Sequence, residues 1–327
     1  MMVFGEYKPS GGCFICWNLL NMLKKRKCGM GQKTISVILV LAAGSMWGCM
    51  GLLVRPLNEI GLVTMDICFL RGFVTFVIML AGLLVFDRSA LKIRLKDIWC
   101  FVGTGALSVS FFNYCYFKTI TLTSLSVAAV LLYTAPAFVM VMSFFLFKES
   151  MTKKKIAALL FAFFGCVLVS GMATGGGNLN VKGILVGLGA GFGYALYSIF
   201  GRYALQRGYS SLTITFYTFL FATLSTIFLI DVSSIINIVE IHPGIGVYGA
   251  VMILFVTLFP YLCYTKGLSG MENGTASVMA SIEPVVATVL GILIYKEEMT
   301  FESAFGMILV LGSIVMINGK VKKIPEA

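Results

Sequence analysis

The sequence predicts an all-α polytopic membrane protein, with ten transmembrane helices arranged as two inverted five-helix repeats around a central cavity. Three observations predict it. Of 327 residues, 59% are hydrophobic and only 12% charged, with a mean hydropathy of +0.96; soluble domains have roughly 45–50% and about 25%. Ten apolar runs come near the about 20 residues that a bilayer core requires of a helix. The chain also repeats its own polar landmarks at an offset of 148 residues.

The composition excludes a soluble enzyme, a nucleic-acid binder and a disordered chain. The net charge of +11 is dispersed between apolar runs rather than gathered in one patch. Most of the nine cysteines lie inside apolar runs, where a thiol behaves as a small hydrophobe. Strand-like alternation is absent from the runs, which excludes a β-barrel.

The runs cover 34–54, 62–86, 98–117, 124–147, 156–172, 183–200, 212–230, 245–264, 275–295 and 302–317. Their connections are mostly short and leave no room for a soluble domain. Basic residues set the orientation. With the N-terminus inside, the inner segments hold Lys8, Lys24, Lys25, Arg26, Lys27, Lys33, Arg88, Lys92, Arg94, Lys96, Lys148, Lys153, Lys154, Lys155, Arg202, Arg207, Lys266, Lys320, Lys322 and Lys323. The outer segments hold only Arg55, Lys118, Lys182 and Lys296, and Arg71 lies within a span. Both termini are therefore expected to be cytoplasmic.

The first 32 residues stand apart. Phe14 to Leu23 is apolar but too short to span, and Lys24-Lys25-Arg26-Lys27 follows it, the reverse of a signal peptide. Two readings are open: an interfacial helix with a basic anchor, or an over-extended start ahead of Met30. Cys13-x-x-Cys16 has no second pair and no nearby histidine, so no metal is expected there.

The repeat is carried by its polar register. At an offset of 148, Phe111, Cys115, Tyr116 and Lys118 fall on Phe259, Cys263, Tyr264 and Lys266. Pro136 falls on Pro284, and Lys148-Glu149-x-Met151-Thr152 on Lys296-Glu297-x-Met299-Thr300. An offset of 147 sets Gly44-x-x-Trp47 on Gly191-x-x-Tyr194. The repeats are assigned to 33–173 and 183–318, with a linker at 174–182 around Gly175-Gly176-Gly177 and a basic tail at 319–327. Five spans per repeat is an odd number, so the second copy enters the membrane from the opposite side, the architecture of secondary transporters.

These residues carry a family resemblance. The duplicated five-helix unit, with Trp47-Gly48 in the first helix, Arg71 in the second and Glu283-Pro284 in the ninth, resembles the EamA domain of the drug/metabolite transporter superfamily over roughly 34–318. The resemblance implies a ten-helix transporter of small organic molecules. Helices 1–4 and 6–9 would surround the cavity, and helices 5 and 10 would lie at its periphery. Substrates in such a family range over amino acids, other metabolites and drugs. Lys118 departs from the small residue usual there, as if helix 3 ended sooner.

Polar groups inside the spans are the site candidates. Glu283 sits on a stripe with Ala276, Ala280, Ala287 and Gly291, which turns it toward other helices or a cavity. Pro284 loosens the helix beside it. The repeat partner of Glu283 is Ala135, so the charge breaks the symmetry. Glu283 reads either as a carboxylate that takes up a proton or binds a substrate ammonium, or as a cap for backbone groups freed by the proline. Arg71 reads as an anion holder, or as a snorkelling or structurally paired cation; Asp66, five residues earlier, cannot face it. Further stripes join Val109, Asn113 and Tyr116; Gly187, Gly191, Tyr194 and Ser198; Thr257, Tyr261 and Tyr264; and Trp47 with Gly44 and Gly51. Tyr133 lies one turn before Pro136. Pro136, Pro284, Gly187 and Gly191 are read as structural. Tyrosine and tryptophan near span ends also form interfacial belts, so Tyr116 and Tyr264 are ambiguous.

No enzyme constellation is present: His242 is the one histidine, and no HExxH or Walker sequence occurs. No cofactor, metal or nucleic-acid partner is expected. The leading reading is a secondary transporter that exports small amphipathic metabolites (amino acids or related compounds, or drugs) by alternating access, with proton coupling as an option. The alternatives are an uncoupled facilitator or importer, and a membrane scaffold or sensor. The chain is expected in the bacterial plasma membrane as a monomer or homodimer. A thiol probe at Asn178 should react with an impermeant reagent added outside, and one at Lys154 should not. Reversed labelling would overturn the orientation and the inverted repeat together.

Overall fold

The computed structural model of the protein describes residues 31–172, 180–241 and 243–318. The readings made above for residues 1–30 with Cys13 and Cys16, for the glycine linker, for His242 and for the tail lie outside the described residues. Among those described there is no strand. Among the described residues nine helices are long and apolar enough to cross a membrane: α1 (Gln32–Glu59), α2 (Thr64–Phe86), α3 (Leu95–Leu122), α4 (Leu125–Phe147), α6 (Val181–Gln206), α7 (Ser211–Leu229), α8 (Gly246–Leu268), α9 (Asn273–Tyr295) and α10 (Phe301–Asn318). The tenth, α5 (Lys153–Val169), has 17 residues and packs along α10.

The packing follows a pseudo-two-fold pattern. α1 lies along α8, as α3 lies along α6, while α2 packs on α7 and α5 on α10. Backbone irregularities repeat as well. α4 is broken into Leu125–Leu132 and Ala135–Phe147, and α9 into Asn273–Ala280 and Glu283–Tyr295, so every boundary recurs 148 residues later. π-helical turns end at Ser110 in α3 and at Leu258 in α8, again 148 apart. Lys148 and Lys296, which close α4 and α9, both take left-handed backbone, with φ of 58° and 57°. The next residue then bonds back to its own helix: Glu149 N–H donates to Ser143 O and Glu297 N–H to Gly291 O, both at 3.2 Å.

The two breaks follow from Pro136 and Pro284. A proline lacks the N–H owed to the carbonyl four residues back, and its ring crowds that carbonyl. Those carbonyls belong to Leu132 and Ala280, the last residues before each break. A helix of the other repeat covers each kink with a glycine. A methyl built on Gly44 of α1 would stand 2.8 Å from Ala280 O, and one on Gly191 of α6 2.7 Å from Leu131 O. Gly48 approaches Glu283 O within 2.7 Å on the same basis, and Gly187 packs on the Leu131 side chain. The glycines thus permit the close approach that helices in lipid need.

Some expectations need correction. α3 continues through an exposed Lys118 to Leu122, so it does not end sooner there. Backbone hydrogen bonding outlasts the apolar run, because a lysine at a helix end reaches the interface. α6 likewise extends to Gln206, beyond the expected limit at 200. The connection after α7 holds a further helix, Val232–Ile241, which buries Ile235 but exposes Ile236 and Ile241. The Glu283 stripe is not continuous: Ala287 is exposed, because the break at Ser281 and Ile282 resets the helical phase.

Gly191→Ala is expected to lower stability by about 1–3 kcal/mol through overpacking at the α4 kink. Gly82→Ala, where nothing lies within 4 Å of the added methyl, should be neutral or slightly stabilising. Thermal unfolding of both variants in one detergent checks this; equal midpoints would show that the kink tolerates a side chain.

Candidate functional site

The two breaks face each other near the middle of the bundle. Between them Leu132, Tyr133, Ala135 and Pro136 of α4, Tyr194 of α6, and Ser277, Ala280, Ser281 and Glu283 of α9 line a void of about 20 Å³, room for about one water centre. Glu283 is the first residue of its half-helix, where the positive end of the helix dipole favours a negative charge. Among the described residues no hydrogen-bond donor is set on its carboxylate, and it does not cap the backbone freed by Pro284.

Aromatic rings surround it. Tyr116, Tyr133, Tyr194 and the Cys166 thiol all lie close enough to feel the Glu283 charge. Arg71 is the cation whose charge reaches it, and its Nε donates to Thr257 Oγ1 at 2.9 Å. That bond joins α2 to the π-helical turn of α8, so Arg71 is held inside the bundle rather than snorkelling outward. Trp47 is buried against Tyr261 and Tyr264, with centroids at 5.4 Å from each, and stands 6.3 Å from Tyr194. Asn113 is also buried, but it turns toward α2: its Oδ1 accepts from Cys68 Sγ at 3.3 Å and its Nδ2 donates to Val109 O at 2.6 Å.

The structure thus brings Glu283, Tyr133 and Tyr194 to one void, with Tyr116, Arg71, Tyr261, Trp47 and Tyr264 in successive layers around it. It sets Asn113 aside from the void, against α2. Sequence reasoning missed Tyr197, whose hydroxyl lies 2.6 Å from Thr265 Oγ1 and whose ring packs 5.0 Å from Tyr261. Its place three residues after Tyr194 was the available signal. Ser277 and Ser281 were missed too; Ser281 is the repeat partner of Tyr133, a relation the 148 offset already contained.

The two ends of the bundle differ. On the face that carries Lys148 to Lys155, α6 is bonded to the α8–α9 region: Tyr264 OH to Ser198 Oγ at 2.8 Å, and Arg202 Nε to Asn273 Oδ1 at 2.8 Å. Lys155 Nζ pairs with Glu272 at 2.6 Å. Ala135–Phe147 packs along Asn273–Ala280 here. On the opposite face the equivalent halves, Glu283–Tyr295 and Leu125–Leu132, have no comparable packing. The broken helices of the two repeats thus pack on each other at the basic face and not at the other.

Comparison with known proteins accords with this geometry. The EamA-like transporter family matches residues 34–171 and 181–319, one copy per repeat. A Clostridium kluyveri protein described as an uncharacterized transporter is 26% identical over 79% of this chain and 84% of its own length. The Bacillus subtilis uncharacterized transporter YyaM is 25% identical over 73% and 80%. An uncharacterized transporter of Archaeoglobus fulgidus is 27% identical over 70% and 80%. A crystal structure of another protein, 17% identical, superposes with a TM-score of 0.72 over 86% of this chain and 96% of its own, and so shares the fold. This chain belongs to the EamA-like transporter family and is a multi-pass integral membrane transporter.

Proposed function

We propose that the protein is a secondary transporter that exports small amphipathic metabolites, amino acids or related compounds, from the cytoplasm by alternating access. One observation carries the reading: among the described residues an unpaired carboxylate, Glu283, lines a void between two proline-broken helices, one from each repeat. An unpartnered charge in a span is costly and serves no packing purpose. At the meeting point of the repeats it is reached from either side as one repeat rocks against the other. The membrane is the bacterial plasma membrane, with the basic face toward the cytoplasm.

In the described conformation the void admits about one water. A metabolite enters when the loosely packed halves of α4 and α9 part further. Tyr133 and Tyr194 then offer ring faces and hydroxyls to an amphipathic molecule. Glu283 takes one of two parts. It carries a proton inward as substrate leaves, or it neutralises a substrate ammonium; Arg71, in the layer around the void, suits the carboxylate of a zwitterion in the second case.

Glu283→Gln separates these parts, because it keeps shape and removes the charge. If Glu283 couples a proton, the variant should exchange substrate across liposomes but lose accumulation driven by a pH gradient. If it meets an ammonium, binding itself should weaken. Normal pH-driven transport by the variant would remove Glu283 from the mechanism. A binding screen of the purified chain across amino acids, nucleosides and organic cations supplies the substrate.

Tyr133→Ala and Tyr194→Ala should each weaken apparent affinity about 2- to 10-fold, the scale of one aromatic contact, with membrane insertion unchanged. Wild-type affinity in both variants would leave these tyrosines as packing residues.

A further inference from the structure

The two copies of the Lys-Glu-x-Met-Thr turn stand in different states within one structure. On the basic face Glu149 is seated on the start of α9: its carboxylate accepts from Asn273 N–H at 2.7 Å and from Gly274 N–H at 3.2 Å. These are orphan donors of a helix N-terminus, where the dipole also favours the carboxylate. Asn273 is 0% exposed. Arg202 braces the seat from α6, through Asn273 Oδ1 and Met271 O.

On the opposite face Glu297 leaves an identical left-handed turn but seats on no helix. It is half exposed and pairs with Arg55 at 2.6 Å. The 148 offset maps Asn273 and Gly274 onto Leu125 and Ser126, the first residues of α4. Among the described residues no acceptor is set on their N–H groups, and Leu125 is 63% exposed. Ser124 Oγ already accepts from Val127 N–H at 3.3 Å, which leaves the two preceding donors for another group. Arg55 is itself the repeat partner of Arg202, at the 147 offset.

We infer that Glu149 and Glu297 are reciprocal latches, each seating on the broken helix of the other repeat when its own face closes. In the second conformation Glu297 leaves Arg55 and accepts from Leu125 and Ser126 N–H, while Glu149 leaves α9 and pairs with Arg202. The repeat balances the exchange: one seat and one arginine pair are present in either state. Glu297 gives up an exposed ion pair, which is weak, for two charge-assisted hydrogen bonds, which are stronger. This device rests on the alternating-access reading, and it assigns to named side chains the closing of each face.

The test uses the full chain in lipid nanodiscs and liposomes. Amide hydrogen exchange follows Asn273 and Gly274 at one seat and Leu125 and Ser126 at the other, without need of a substrate. Glu149→Gln should speed exchange at the first pair and slow it at the second. Unchanged exchange at Leu125 and Ser126 would make Glu149 a local helix cap and overturn the proposal. Should that variant fold poorly, Glu297→Gln and Arg55→Gln decide, since both side chains are solvent-exposed. Glu297→Gln should lower transport at least about tenfold, whereas Arg55→Gln should stay within about twofold. Equal effects would reduce the pair to a surface salt bridge and sink the latch. If exchange shifts reciprocally but the wild-type chain moves no compound, the latches stand and the transport reading falls. If compounds move but exchange is not reciprocal, the latches fall alone.

Discussion

Two missing backbone donors, at Pro136 and Pro284, set the conditions for everything at the centre of this molecule. In lipid a helix must satisfy its own backbone, and an interrupted one survives only where protein covers the interruption. α4 and α9 therefore cannot face the bilayer at their breaks; they must meet other helices there. α1 and α6 supply that cover, and only because Gly44 and Gly191 lack a side chain where Ala280 O and Leu131 O approach. The cover is crossed between repeats, α1 on α9 and α6 on α4. Each half of the chain thus completes the weakest point of the other, and the void between the breaks belongs to neither alone.

Much of this was legible in the residues. The period of the polar landmarks, with proline and Lys-Glu-x-Met-Thr in register, marks the positions where both breaks and both left-handed turns occur. Hydropathy located the spans, because a bilayer imposes length and polarity together. It could not locate their ends: α3 runs on past Lys118 and α6 past the apolar run, since hydrogen bonding rather than hydropathy ends a helix. A search for long apolar runs also passes over Val232–Ile241, which buries a single edge.

The candidate site was legible in part, for a related reason. Glu283, Tyr133 and Tyr194 stand out because each lies deep in an apolar run. Which face each side chain takes depends on helical phase, and phase is lost across a break or a π-helical turn. Hence Ala287 left the expected stripe, and Asn113, just after the π-helical stretch of α3, turned toward Cys68. Tyr197 differs: its place three residues after Tyr194 was a local signal, but its pairing with Thr265, 68 residues on in another helix, was not legible.

On the proposed function, symmetry and its failure divide the work between movement and recognition. The elements that bend or close recur in both repeats: the prolines, the left-handed lysines, the glutamates beyond them and the arginines that answer them. Identical parts allow two conformations of similar free energy, because the bonds formed in closing one face are the same in kind as those broken in opening the other. Apart from Pro136, the polar and aromatic residues that line the void do not recur. Tyr133 is matched by Ser281 and Ala135 by Glu283, while Tyr194 answers Trp47, which stands one layer out. A lining built by copying would present the same groups from both sides and could not orient a molecule with unlike ends. With a carboxylate on α9 only, and rings on α4 and α6, the void has a charged wall and an aromatic wall. Under the proposed alternating access that polarity stays with the molecule when the faces exchange roles, so one bound ligand would be held in one orientation while the path to it changes sides.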